Sequence, residues 1–432
     1  MKDLIVTWAN QIARLLLLPV VMMALPRYLS IEEQGYWFSM ISLVSVVAFA
    51  DMGLSNAIMQ CAAHEFAAVL NSGDAALISV KLTTIRLKSL LCFSLKRILL
   101  VNLIVLPTIL LSGFLTFKQA GGYNFWLFKW IVLCIFSSIQ LIISIILAFY
   151  EGCNSVQEIQ GIRFLATVAN LTSLIICVYF GLGLWALSVS SAASCIISFA
   201  CIYKKFSRDI SPIYDLFMVD TLAWSKELTP LLKNYSLSWV GGYFMFQLFT
   251  PITFKIVGPV EAGKVGLTIS LITGVFNFSN IWSAYQLPGF AMDVARRDRL
   301  SLHQRFDRTL ILAVLTFLIV TALIMVIYLN LPEITPVRGR ILDLRAFITL
   351  GFAWFFQLLV HNMAIYLRAF KQDPLVLQTL GAALHTAVST VMSLKIFGTQ
   401  GVFIGFLTVY IWFVPAVYVV FRRQRNQVLL WD

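Results

Sequence analysis

A single arginine, Arg14, interrupts an otherwise apolar stretch near the start of this 432-residue chain. Thr7, Asn10 and Arg14 fall at i, i+3 and i+7, on one face of a helix. An arginine at the centre of an isolated membrane span costs about 2.5–3.5 kcal/mol on insertion scales, so the stripe should face a cavity and not lipid. There the planar guanidinium fork suits the phosphate oxygens of an anionic headgroup. The alternative is a structural ion pair with an acid such as Asp51, in the segment FADMGLSNAIMQ. Asp51 reads in turn as a coupling-ion carboxylate, as the partner of Arg14, or as a helix-stabilising group near the membrane interface.

Other apolar stretches carry similar stripes. Tyr243, Gln247 and Thr250 are spaced i, i+4, i+7, and Ser270, Thr273, Asn277 and Asn280 are spaced i, i+3, i+7, i+10. Trp354, Gln357, His361 and Arg368 share a face with Asn362 beside it, and His385 and Ser389 share another. Hydroxyls and amides beside aromatic rings suit sugar recognition, and His361 could titrate with a coupling proton. The competing reading is that these groups only join helices by hydrogen bonds, as polar residues in membranes often do. Lys129, Lys255 and Lys264 lie near the outer ends of spans, where snorkelling to the interface is the default. Lys255 is the best placed of the three to offer a cavity a second cation.

Enzymatic chemistry has no visible home. Gly258–Lys264 fits GxxxxGK, the opening of a phosphate-binding loop, but Val265 stands where a magnesium-binding hydroxyl is needed. The segment also lies between two apolar stretches and follows no buried strand. The sequence contains no HExxH, no GxSxG and no paired metal-ligand spacing, and its seven cysteines form no CxxC pair. Buried free thiols are expected, and no cofactor.

The elements that must position these residues follow from composition. Sixty per cent of the chain is hydrophobic and 12% is charged, against about 45–50% and 25% for soluble domains. This excludes a soluble enzyme, a disordered scaffold and a secreted disulfide domain. Crossing a bilayer takes about 20 apolar residues. Spans are expected at 4–29, 36–60, 90–116, 125–150, 162–181, 184–203, 234–257, 265–291, 309–331, 346–369, 374–396 and 401–421. With both termini in the cytoplasm, about two-thirds of the 32 lysines and arginines fall in inside segments. The net charge of +12 is then a record of topology and not a nucleic-acid surface. The start, Met1-Lys2-Asp3, leads into a stretch too long for a signal-peptide core, so an uncleaved first span is expected.

The longest loops, 61–89 and 204–233, mix charged and apolar residues as interfacial helices do. The outer loops are short throughout. Residues 33–43, EQGYWFSMISL, and 261–271, EAGKVGLTISL, match at Glu33/Glu261, Gly35/Gly263, Ile41/Ile269, Ser42/Ser270 and Leu43/Leu271. Each segment opens a span, and Phe180-Gly181 and Phe397-Gly398 each lie between the last two spans of a half. Six plus six helices in parallel halves is a common transporter plan, with the substrate site near the bilayer midplane.

The stretch RLLLLPVVMMALPRYLSIEEQGYWFSMISLVSVVAFADMGLSNAIMQ (14–60) resembles the start of Wzx-type O-antigen and polysaccharide flippases. FQLFTPITFKIVGPVEAGKVGLTISLI (246–272) resembles the opening of their second half. These proteins form part of the multidrug/oligosaccharidyl-lipid/polysaccharide (MOP) exporter superfamily, and the resemblance covers the chain in length, span count and short loops. It implies an all-α integral membrane protein with two six-helix bundles, residues 1–215 and 216–432, around a central cavity in the bacterial inner (plasma) membrane. It implies movement of undecaprenyl-diphosphate-linked oligosaccharide, such as an O-antigen repeat unit, from the cytoplasmic to the periplasmic leaflet by alternating access. The chain would act as a monomer among membrane lipids, with a polysaccharide polymerase and a chain-length regulator as partners. Related lipid II flippases use membrane-embedded basic residues for the diphosphate, one of them in the first helix, and Arg14 sits in a matching place. Asn10, Gln247, Lys255, Asn277, Asn280, His361 and Arg368 join Arg14 as candidate substrate contacts. Asp51 and His361 are the candidates for ion coupling, and Asp51 and Gly53 match the family's Asp-x-Gly. Many relatives carry an aspartate in the seventh span where this chain has Thr250, which puts coupling through an acid there in doubt. A multidrug or cation antiporter of the same fold would favour an acid-rich cavity. A membrane glycan polymerase or ligase would favour a large outer loop.

Overall fold

Ser30 and Glu33 form a capping box: the Ser30 amide donates to Glu33 Oε2 at 3.0 Å, and the Glu33 amide donates to Ser30 Oγ at 3.0 Å. The helix they open, α1 (Ile31–Ala50), ends at a turn through Asp51, and α2 (Leu54–Asn71) follows. Gly53 in that turn has φ 76°, a left-handed conformation that strains residues bearing a side chain. The two helices make one apolar span, Ile31–Phe66, so the expected span 36–60 is two helices with a turn between them. This computed structural model describes residues 25–51, 53–71, 77–120, 122–210, 224–226, 228, 241–330, 332, 335, 337–370 and 374–428.

Four long helices follow: α3 (Leu77–Phe117), α4 (Tyr123–Gly152), α5 (Val156–Tyr179) and α6 (Trp185–Ile210). Much of the loop expected at 61–89 is a continuation of α2 and α3, and residues 204–210 continue α6. The charges there do not end the helices, since lysine, arginine and glutamate are good helix formers. Pro107 sits inside α3 and leaves the Leu103 carbonyl without its helical N–H. The neighbouring Thr108 hydroxyl donates to the next carbonyl along, that of Ile104, at 2.7 Å.

The second half contains α7 (Phe249–Ile256), α8 (Pro259–Ser279), α9 (Ile281–Arg296), α10 (Arg299–Asn330), α11 (Leu344–Arg368), α12 (Val376–Phe397) and α13 (Ile404–Val428). No strand occurs among the described residues. Nine described helices are long and apolar enough to cross a membrane, or ten if the bent pair Pro259–Ser279 and Ile281–Leu287 is one span. Each of the ten coincides with one of the twelve spans expected. The span expected at 4–29 lies mostly outside the described residues. The one expected at 234–257 is described from residue 241 and is broken at Gln247-Leu248. Large apolar side chains such as Leu103, Ile319 and Ile411 are exposed, as they are where lipid is the solvent.

The chain divides into two units, Met1–Leu29 with Met40–Val240, and Ser30–Ser39 with Gly241–Asp432. The division expected at 215/216 falls outside the described residues. In the first unit, α4 is the central helix. Gly152 lets it touch the Met59 carbonyl and Ala62 of α2, Asn102 Nδ2 reaches the Ser138 carbonyl at 3.0 Å, and Ser188 Oγ reaches the Lys129 carbonyl at 2.7 Å. In the second unit the core is aromatic, built on Trp354, Tyr366, Phe406, Tyr410 and Phe413.

The second unit also contains a close helix crossing between the two repeat segments. A methyl group on Gly35 would collide with the Pro259 carbonyl, and one on Gly263 would lie 3.0 Å from the Gly35 nitrogen and 3.2 Å from the Ile31 carbonyl. Gln34, fully buried, bolts the crossing: its Nε2 donates to the Gly263 carbonyl at 2.9 Å and the Arg340 carbonyl at 3.3 Å. Arg340 Nη1 returns a bond to Gln34 Oε1 at 3.3 Å. Burial pushes the Arg340 guanidinium below its ordinary pKa, and the Glu33 charge pulls it back up. The GxxxxGK stretch is thus a helix start held against α1, with Lys264 paired to Glu261 at 2.7 Å.

Candidate functional site

The polar side chains expected to line an interior meet most clearly at the junction of α8 and α9. Asn280 separates the two helices, with φ −77° and ψ −6°, and the axis bends there by 41°. Ser279 Oγ donates to the Val275 carbonyl at 2.8 Å, a back-bond that tends to bend helices. Asn280 Nδ2 then donates to His361 Nε2 at 2.8 Å. With the amide nitrogen facing it, Nε2 serves as acceptor, the role it has in the neutral Nδ1–H tautomer. One turn into α9, Ser283 Oγ donates to Asn362 Oδ1 at 2.5 Å, and Asn362 Nδ2 donates to the Leu358 carbonyl at 2.8 Å. Two adjacent residues of α11 therefore grip the bend from both sides.

Aromatic rings pack beside this cluster. The Phe276 ring meets the His361 ring edge-on at 5.4 Å and Trp354 at 4.9 Å, and Phe246 stacks on Trp354 at 5.5 Å. Tyr410 OH donates to Gln357 Oε1 at 3.1 Å. A second polar contact joins α12 to α13. Trp412 Nε1 donates to His385 Nδ1 at 3.0 Å, and His385 Nε2 lies 3.2 Å from Thr408 Oγ1. Here the ring proton sits on Nε2, the opposite tautomer from His361.

Other expected site residues are more scattered. Arg14 and Asn10 lie outside the described residues. Asp51 Oδ1 accepts from Ser55 N at 3.2 Å and from Ser55 Oγ at 2.7 Å, so it caps the start of α2. Gln247 is half-buried at the break before α7, its amide donating to the Tyr243 carbonyl at 2.9 Å. Tyr243, Gln247 and Thr250 therefore do not line one continuous helix, because the chain turns at Gln247-Leu248. Lys255 is exposed in the last turn of α7, Asn277 is exposed on α8, and Arg368 is exposed at the end of α11. Two stripe hydroxyls are satisfied by their own helix: Ser270 bonds the Gly266 carbonyl and Ser389 that of His385. They neither join helices nor point donors into a cavity.

Sequence reasoning missed the Ser283–Asn362 bond and a part-buried ion pair at the far end of α9. Arg305 Nε donates to Asp293 Oδ2 at 2.7 Å and its Nη1 to Gln286 Oε1 at 2.6 Å, across the left-handed turn at Arg297. An acid and a base twelve residues apart around a helix turn were visible in the sequence, but nothing there marked the turn. No group of three or more metal-ligating side chains occurs among the described residues.

No protein-family model matches the sequence. No curated protein matches it either. Solved structures do match. An inward-facing multidrug resistance MATE family transporter of the MOP superfamily aligns over 95% of this chain and 98% of its own, with TM-score 0.63 and 14% identity. The lipid II flippase MurJ, in an inward closed conformation, aligns over 99% and 89%, with TM-score 0.60 and 12% identity. A MOP superfamily transporter from Pyrococcus furiosus aligns over 99% and 95%, with TM-score 0.56 and 12% identity. The chain is a multi-pass, all-helical membrane protein. Its fold is that of the MOP-superfamily transporters.

Proposed function

We propose that the chain is a transporter that carries undecaprenyl-diphosphate-linked oligosaccharide from the cytoplasmic to the periplasmic leaflet by alternating access. The observation that carries this reading is the chemistry buried at the α8–α9 bend. Asn280 and His361 meet beside Phe276, which packs on Trp354, and Ser283 and Asn362 bond to each other one turn further into α9. Neutral donors and acceptors next to rings suit hydroxyl-rich sugars. An organic cation would call for an unpaired carboxylate, and the buried acid among the described residues of this unit, Asp293, is bound to Arg305. In this reading Arg14 holds the diphosphate, with Lys255 and Arg368 as further cations. Asn10, Gln247, Asn277 and Asn280 contact the sugar, and Asp51 and His361 are the coupling candidates.

A multidrug or cation antiporter is the second reading. The likeness to a multidrug resistance MATE transporter is as close as the likeness to a lipid II flippase, which favours neither cargo. Removing the gene from its host separates the two. Stranding of an unpolymerised, isoprenoid-linked repeat unit on the inner leaflet is the expected result. A repeat unit that reaches the outer leaflet without polymerising would point to a polymerase, and altered sensitivity to cationic compounds with normal glycan would point to an antiporter. Arg14→Ala and Arg14→Lys should both lose glycan export at normal protein levels, and export retained in both would refute the diphosphate role.

A further inference from the structure

The two histidines of the second unit that make side-chain hydrogen bonds have partners of different kinds. His385 Nδ1 accepts from the Trp412 indole, and an indole nitrogen can only donate. A proton added at Nδ1 would face that N–H, so this contact uses the Nδ1 lone pair. His361 Nε2 accepts instead from an amide, which holds an acceptor on the same planar group. That acceptor, Asn280 Oδ1, is buried and has no hydrogen-bond partner. A half-turn of the amide would exchange Nδ2 for Oδ1 at the same position.

We propose that His361 is a reversible proton-binding site, read at the α8–α9 bend by rotation of the Asn280 amide. In the uptake step Nε2 takes one proton from the aqueous phase and the ring becomes an imidazolium, with N–H at both nitrogens. Asn280 then turns, and its Oδ1 accepts from Nε2–H in a charge-assisted bond, stronger than the neutral one it replaces. No other bond is made or broken. The contact persists in both states, but the side chain at the bend has reversed polarity, while Ser283–Asn362 holds the next turn of α9 in place.

The surroundings define what moves the proton. Among the described residues, Arg368 on α11 is the charged group within electrostatic range of the ring. The other helices packed on α11, namely α8, α9, α10 and α13, bring Phe276, Asn280, Ser283, Phe306 and Tyr410 to its neighbourhood, with Asp293 engaged by Arg305. Like charges repel, so an anion arriving at Arg368 would favour the imidazolium. By linkage, a protonated His361 would favour the anion equally. The protonation site stands on geometry alone, and its coupling to an anionic cargo rests on the transport reading above.

The test uses the full chain, labelled with ¹⁵N-histidine and reconstituted in phospholipid bilayers. Single His→Gln variants assign the four histidines, and nitrogen shifts report each tautomer and charge. His361 should show the Nδ1–H neutral form near pH 8 and convert reversibly to the imidazolium as the pH falls, the change of charge to which a histidine ring is suited. Asn280→Leu should lower the His361 midpoint by about one pH unit, a tenfold loss of proton affinity, and Asn280→Asp should raise it by at least as much. Either variant suffices if the other fails to fold. A His361 that never becomes an imidazolium while the chain stays folded, or a midpoint indifferent to residue 280, overturns the proposal. Because protonation is read without transport, normal titration in a chain that carries no glycan would overturn the cargo assignment alone.

Discussion

Asp51 shows how one side chain can serve several readings until its contacts are known. Its Oδ1 takes both hydrogen bonds from Ser55 and so caps a helix. If that is its whole role, Asp51→Asn should behave as the parent, because the amide retains the acceptor. Asp51→Ala should cost about 1 kcal/mol of stability, read as a lowered unfolding midpoint, with transport intact. Loss of transport in both variants would instead assign an ionic role to the carboxylate. Cys153 offers a second check, in the turn between α4 and α5. Burial pushes its thiol up to about 11, so almost none is thiolate at neutral pH. Its alkylation should be slow near pH 7 and accelerate about tenfold per pH unit until it levels off near that value. A fast, pH-independent reaction would contradict the burial. Asn280 and His361 were legible as polar stripe residues, but their pairing was not, because 81 residues separate them.

Among the elements, the crossing of α1 and α8 and the bend between α8 and α9 carry the most consequence. Both repeat segments have a glycine as their third residue, and a side chain at either would meet the backbone of the other helix, so the repeat marks a close backbone approach in the second unit. Gly35→Leu should therefore cost at least about 1–3 kcal/mol, the usual cost of overpacking, since the Pro259 carbonyl is backbone and cannot yield. Gly161 is the control: a methyl there meets nothing within 4 Å, so Gly161→Ala should stabilise α5 by roughly 0.5–1 kcal/mol. Thermal unfolding in detergent should show shifts of opposite sign. The bend at Asn280 was hidden for a different reason. The sequence around it reads as continuous apolar helix, with no proline or glycine at the turn, and the kink depends on a serine back-bond and two anchors from α11.

At the scale of the whole molecule, the distribution of lysines and arginines predicts both termini on the cytoplasmic side. A fluorescent protein fused to the C-terminus should fold and fluoresce, and a periplasm-dependent phosphatase fused there should stay inactive. The reverse pattern would invert every inside and outside assignment. The basic clusters at Arg296–Arg308 and Arg422–Arg425 would then need another explanation, although Arg425 pairs with Asp307 at 3.0 Å whichever side it faces.

The amino-acid sequence by itself determined that this is a helical membrane protein, because hydrophobic length and charge placement are one-dimensional properties that lipid reads directly. It also marked the glycines of the repeat and the polar residues held in apolar stretches. Only the tertiary structure decided which of those residues do anything for one another. Ser270 and Ser389 turned back to their own helices, Asp51 became a cap, and Arg305 found Asp293. One amide met one imidazole at a bend, because a buried polar group is settled by the nearest partner in space, and nearness in space is set by packing of helices far apart in the chain.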